Sequence, residues 1–144
     1  MFPRRSPVLA MALAGAVGAP LAMSGVAGAA TKLEASLSGQ KEVPKAGDGT
    51  GTAQLTLMPD KGQICFRITL KRVGTAAAGH IHKGGASTAG PITVPLFEEP
   101  TQRPRGCASA KRSVIRAIRR NPAGYYVNVH TATYPAGAAR GQLH

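Results

Sequence analysis

Tryptophan is absent from this sequence, and only three Tyr and three Phe are present, so there is little flat aromatic surface for stacking bases or sugars. Acidic residues are scarce too, six among 144. No paired carboxylates suited to acid–base work stand out, and no Ser-His-Asp set does. The glycine runs "GDGTG" and "KGG" lack the strand-to-helix context of a phosphate loop and read as strand connections. Cysteine is limited to Cys65 and Cys107, too few for a thiolate metal cluster.

The one long apolar run lies near the start. "MFPRRSPVL" is basic through Arg4 and Arg5, "VLAMALAGAVGAPLAM" is uncharged, and small residues follow with an Ala-x-Ala match at Ala27–Gly28–Ala29. That order reads as a secretory leader over residues 1–29, cut near Ala29, with a mature domain over 30–144. A membrane anchor needs about 20 strongly apolar residues, and this Ala- and Gly-rich run falls short, so no transmembrane anchor is expected after cleavage. Arg4–Arg5 raises twin-arginine export beside the general route, although Pro7 stands where that signal wants an apolar residue.

Losing Arg4 and Arg5 leaves sixteen of the 18 Lys and Arg against six acids, a net charge of +10 on one domain. In a secreted, extracellular or cell-envelope setting the matching partner is an anionic envelope polymer, a phospholipid headgroup or an acidic protein, not nucleic acid. The bland alternative is that the charge serves solubility. Outside the cytosol, Cys65 and Cys107 pair most simply as a disulfide, with a metal-ligand role as the rival reading.

The mature chain alternates with period two. Leu33, Ala35 and Leu37 alternate with polar neighbours, as do Ala53, Leu55 and Leu57, and Ile64, Phe66, Ile68 and Leu70. "PDKG", residues 59–62, predicts a hairpin between the last two strands. Cys65 then lies on the outer face, where its bond to Cys107 would pin the Pro-rich loop "EEPTQRPRGC" to the sheet. "SAKRSVIRAIRR", residues 109–120, predicts the one helix, with Val114, Ile115 and Ile118 on one face and Ser109 as its cap. Its arginines Arg116, Arg119 and Arg120, with Arg140 further on, are candidate anion-binding residues. The bland alternative is a surface helix over a sheet edge or barrel end. In the last segment Tyr125, Val127 and Val129 face one way, Tyr126, Asn128 and His130 the other, and "YPAG" at 134–137 turns the chain into "ARGQL". Seven or so short strands predict an all-β fold, a Greek-key β-sandwich (immunoglobulin-like) or partly closed barrel, with one short basic surface helix.

Within "AGHIHK", Ile81 is the natural core residue, so His80 and His82 project together to the outer face, their Cα atoms about 6.5–7 Å apart. Val127 and Val129 as core residues place His130 on the outer face as well. Three imidazoles brought together on the solvent side suit one copper or zinc ion. A His-x-His pair is also an ordinary feature of a solvated strand, and both readings stay open on spacing alone.

"LSGQKEVP", "AGHIHKG" and "NPAGYYVNVHTATYPAGAARGQL", in that order over residues 33–143, resemble the chordin-type (CHRD) domain of exported microbial proteins. The resemblance implies an all-β domain and brings no assigned activity. A more distant similarity is to the copper–zinc superoxide dismutase architecture, through "GHIHKGG", "TAGP" and "NVH". It implies His80, His82 and His130 around copper, with Arg140 near the position of an anion-guiding arginine. The sequence departs from that pattern at Ile92, where a bridging histidine is expected, and no zinc-ligand cluster of His and Asp follows. Three functions follow as expectations: a copper- or zinc-binding domain, a metal-free module that docks an anionic polymer or protein through the basic helix and "RPR" loop, and a copper-dependent oxidoreductase of dismutase type.

Overall fold

The computed structural model describes residues 28–144, so the leader assigned to residues 1–29 falls, up to residue 27, outside the described residues. Eight strands and one helix follow: β1 Thr31–Ser38, β2 Thr50–Met58, β3 Gln63–Lys71, β4 Ala78–Lys83, β5 Ile92–Phe97, β6 Arg105–Ser109, α1 Arg112–Arg120, β7 Tyr125–His130 and β8 Ala139–Gln142. The strands form one antiparallel sheet in the order β5-β4-β7-β8-β1-β2-β3-β6. Its two ends curl round until β5 touches β6, and Ala76 bridges Thr101 beside them. The result is a nearly closed barrel, the second of the two architectures expected.

The period-two alternation decides which way each strand faces. Leu33, Ala35, Leu37, Ala53, Leu55 and Leu57 are buried in the barrel, as are Ile64, Ile68, Ile81, Val94, Val127 and Val129. Each such Leu, Ile or Val side chain contributes roughly 1.5–3 kcal/mol through removal from water. The 59–62 turn forms as expected, with Gly62 in the left-handed conformation at φ 64°. Among the described residues no helix is long and apolar enough to cross a membrane.

Two local expectations need correction. Ser109 does not cap the helix: it ends β6, and α1 begins at Arg112 behind Lys111 with no side-chain cap. The apolar face is as expected, with Ile115 and Ile118 fully buried where α1 packs on the β2–β3 turn. Cys107 lies on a strand rather than in a loop. It faces Cys65 directly across the β3–β6 ladder, and the two form a disulfide.

Candidate metal centre

The outward face of β4, β7 and β8 is not open to solvent. His80 pairs across the ladder with Asn128, His82 with Tyr126, and Asn128 in turn with Arg140. Over this row fold the 84–91 and 131–138 segments, which bury His80 and His82 to 7 % exposure each and leave His130 half-buried. The three histidines therefore share the face that alternation predicts, but the site is an enclosed polar layer and not the surface site expected. Alternation fixes which way a side chain points and says nothing of what lies above it.

Each imidazole is held by an identifiable contact. His82 Nδ1 lies 2.8 Å from Gly90 O, and His130 Nδ1 lies 3.0 Å from Pro135 O. Carbonyls only accept, so both Nδ1 atoms carry the proton, and the Nε2 atoms of His82 and His130 present lone pairs. Nε2 of His82 is buried without a partner. Nε2 of His130 stands 3.1 Å from Nδ1 of His80. Nε2 of His80 has Glu98 Oε1 at 3.7 Å and no hydrogen bond. Because Nε2 of His130 can only accept, its contact with His80 is a hydrogen bond donated by Nδ1–H of His80. With the His80 proton moved to Nε2, on the Glu98 side, its Nδ1 lone pair would join those of the other two rings as a ligand. Carbonyl and carboxylate acceptors behind imidazoles are the usual outer shell of a metal site.

The donor set fits a transition-metal ion. One nitrogen from each ring lies within 4.8 Å of the others. At metal–nitrogen distances of about 2.0–2.1 Å, ligand atoms in a tetrahedral arrangement stand roughly 3.4 Å apart. The 3.1 Å His80–His130 separation already satisfies that. The widest gap, 4.8 Å, would have to close by about 1.4 Å on metal binding. Desolvation pulls the pKa of all three rings below the ordinary value of 6.5; the neighbouring imidazoles add to this at His80, and His130 and Arg140 add to it at His82. Opposing this, Glu98 at His80 and the backbone carbonyls at His82 and His130 raise the pKa. All three are thus kept in the neutral, metal-ligating form.

The supporting residues escaped the reading of the sequence. Tyr126 stacks on His82 with ring centres 5.0 Å apart, and its hydroxyl accepts from Gly90 N at 2.9 Å. Gly90 has to be glycine, because a Cβ there would collide with the Lys83 carbonyl. Glu42 is 5 % exposed and accepts from Asn128 Nδ2 at 3.4 Å. Burial pushes its carboxyl up to about 7, against the pull of Arg140 and the Asn128 bond. At Gly137, φ 145°, any side chain would strike that carboxyl.

Arg140 lies apart from the helix arginines: it is 2 % exposed on β8 and donates to Thr88 O at 2.8 Å and Gly85 O at 2.9 Å. Arg116 leans towards Asp60 at 3.9 Å, and Arg119 and Arg120 are exposed at the end of α1. His144 is exposed, its backbone paired with Glu34, and it is not among the clustered rings. A hollow of about 670 Å³ opens beyond Arg140 over the β1–β8 seam, and none of the three histidines lines it.

The family model described as the CHRD domain matches residues 33–143. The chain belongs to the CHRD-domain family. In this CHRD domain the three signature stretches serve one place. "LSGQKEVP" brings Glu42, "AGHIHKG" is β4 with His80 and His82, and the last stretch supplies Asn128, His130 and Arg140 from β7 and β8. No curated protein matches the chain. The dismutase-like pattern reaches as far as the three histidines: Ile92 stands opposite His82 and is 53 % exposed, and no second group of three His, Cys, Asp or Glu gathers among the described residues.

Proposed function

We propose that this CHRD domain binds a single copper or zinc ion through Nδ1 of His80 and the Nε2 atoms of His82 and His130. The observation that carries the reading is the buried, partnerless Nε2 of His82, aimed away from a protonated Nδ1. Leaving such an acceptor dry costs about 1–3 kcal/mol, and an ion removes that penalty. With only imidazole ligands and no thiolate, the site suits Cu(II) and Zn(II), and the general stability order places Cu(II) ahead. The bound ion would supply Lewis-acid or redox character, while the chain's own residues fix three neutral rings behind two covering loops.

The domain is inferred to work outside the cytosol, in metal capture or delivery. The Cys65–Cys107 bond and the leader-like start of the sequence support that placement. Calorimetric titration with Cu(II) and with Zn(II) tests the function. One equivalent should bind, Cu(II) the tighter, and a His80→Ala/His82→Ala variant should bind neither. Equal, negligible uptake by both proteins ends the proposal.

A further inference from the structure

Arg67 in β3 and Arg105 in β6 are direct cross-strand partners, and both are exposed. Like charges facing each other across a sheet repel. The pairing is nevertheless fixed, because two residues along the same ladder Cys65 faces Cys107 and is bonded to it. Arg103 arrives from the turn before β6, whose Pro104 carbonyl accepts from Ile68 N at 2.9 Å. The three arginines line one hollow of about 240 Å³, with Ile68, Thr69, Leu70, Gln102 and Pro104 completing it.

Among the described residues no carboxylate forms an ion pair with them. The ion pairs among the described residues are Arg72–Asp48, Arg116–Asp60 and the long His80–Glu98 contact. The sheet row through the pair runs Glu34, Gln54, Arg67, Arg105. Its one carboxylate, Glu34, stands two strands from Arg67, and its Oε1 already accepts from Gln54 Nε2 at 3.2 Å.

We propose that Arg67, Arg103 and Arg105 form a binding site for a tetrahedral oxyanion, a phosphate or sulfate group. Guanidinium forks donate paired hydrogen bonds to such oxygens, and a dianion between facing arginines converts their repulsion into attraction. The hollow holds one such group and opens to solvent, so the group arrives either free or carried on a polymer. None of the three residues touches the histidine centre, so this site stands or falls independently of metal binding.

Thermal unfolding of the protein in inorganic phosphate, against chloride at matched ionic strength, tests the site. Phosphate should raise Tm beyond chloride. The excess should vanish in Arg67→Gln and in Arg105→Gln and persist in Arg119→Gln/Arg120→Gln. In dilute chloride Arg105→Gln should melt above the parent, because it removes the facing charge. Long-chain polyphosphate and dextran sulfate form the polymer arm, with affinity roughly tenfold weaker for each substitution at Arg67 or Arg105. Dependence on those arginines in the polymer arm alone assigns the group to a chain, and dependence in both arms assigns it to the free ion as well. If phosphate matches chloride and polymer binding follows Arg119 and Arg120 instead, the site does not exist.

Discussion

The guanidinium carbon of Arg140 stands 3.4 Å from the centre of the Tyr126 ring, and Tyr126 in turn stacks on His82 at an interplanar angle of 9°. Arg140 also ties down the 84–91 segment through the Thr88 and Gly85 carbonyls. It therefore positions the segment whose Gly90 carbonyl orients His82. Arg140→Ala leaves two carbonyls without donors and should destabilise the domain by about 3 kcal/mol in urea unfolding. Zn(II) affinity should fall 10- to 100-fold, as for other outer-shell losses. Unchanged affinity in a folded Arg140→Ala protein would remove Arg140 from the positioning role.

Glu42 gives the domain a pH signature of its own. Its folded pKa of about 7 lies above the ordinary 4.5, so the folded protein holds a proton there that the unfolded chain has released. Stability from this group is complete below 4.5 and is lost as pH rises towards 7, by at most about 3 kcal/mol. Glu42→Gln should match the parent near the acid end of that window and exceed it in mildly alkaline buffer. Superimposable stability–pH curves for the two proteins would show that the carboxyl is not desolvated as described.

The histidines act in the opposite sense. Burial lowers their pKa values below 6.5, so the unfolded chain takes up protons first as the medium is acidified. Their contribution to the metal-free domain is present above 6.5 and declines as pH falls towards their lowered folded values. Proton competition with metal begins late for the same reason. Zn(II) affinity, measured by competition with a chelator of known pH dependence, should be nearly level at pH 6.5 and above, and should drop only in more acid buffer. A fall centred on 6.5 would mean rings of ordinary pKa, exposed to water.

Reducing the disulfide should loosen the β3–β6 edge more than the histidine layer. The bond spans 42 residues of sequence, and on the chain-entropy model its loss costs roughly 4 kcal/mol. A Cys65→Ser/Cys107→Ser protein should lower the urea midpoint yet keep Zn(II) affinity, since the bond ties β3 to β6 while the histidines stand on β4 and β7. Loss of metal binding at full folding would contradict that separation.

Much of this fold can be read directly from residue alternation. Leu33, Ala35 and Leu37 in β1, the Ile64–Ile68 series in β3 and Val127 with Val129 in β7 each place one face inward. The two strands that alternation does not reveal are the edges of the sheet. In β5, Pro95 interrupts the pattern, as an edge strand permits. In β6, "RGCAS" has no apolar series, and its pairing rests on backbone hydrogen bonds and Cys107. The same limit applies at the metal centre. Spacing places His80, His82 and His130 on a common face. Their burial depends on Arg140 and Gly90 anchoring a loop, and neither leaves a periodic trace.

The central claim concerns three particular nitrogen atoms, and long-range ¹H–¹⁵N correlation of the histidine rings, before and after one equivalent of Zn(II), reads them individually. The account predicts large shifts at Nδ1 of His80 and Nε2 of His82 and His130, with His144 unmoved. Unchanged resonances at residues 80, 82 and 130, or a response confined to His144, would contradict it.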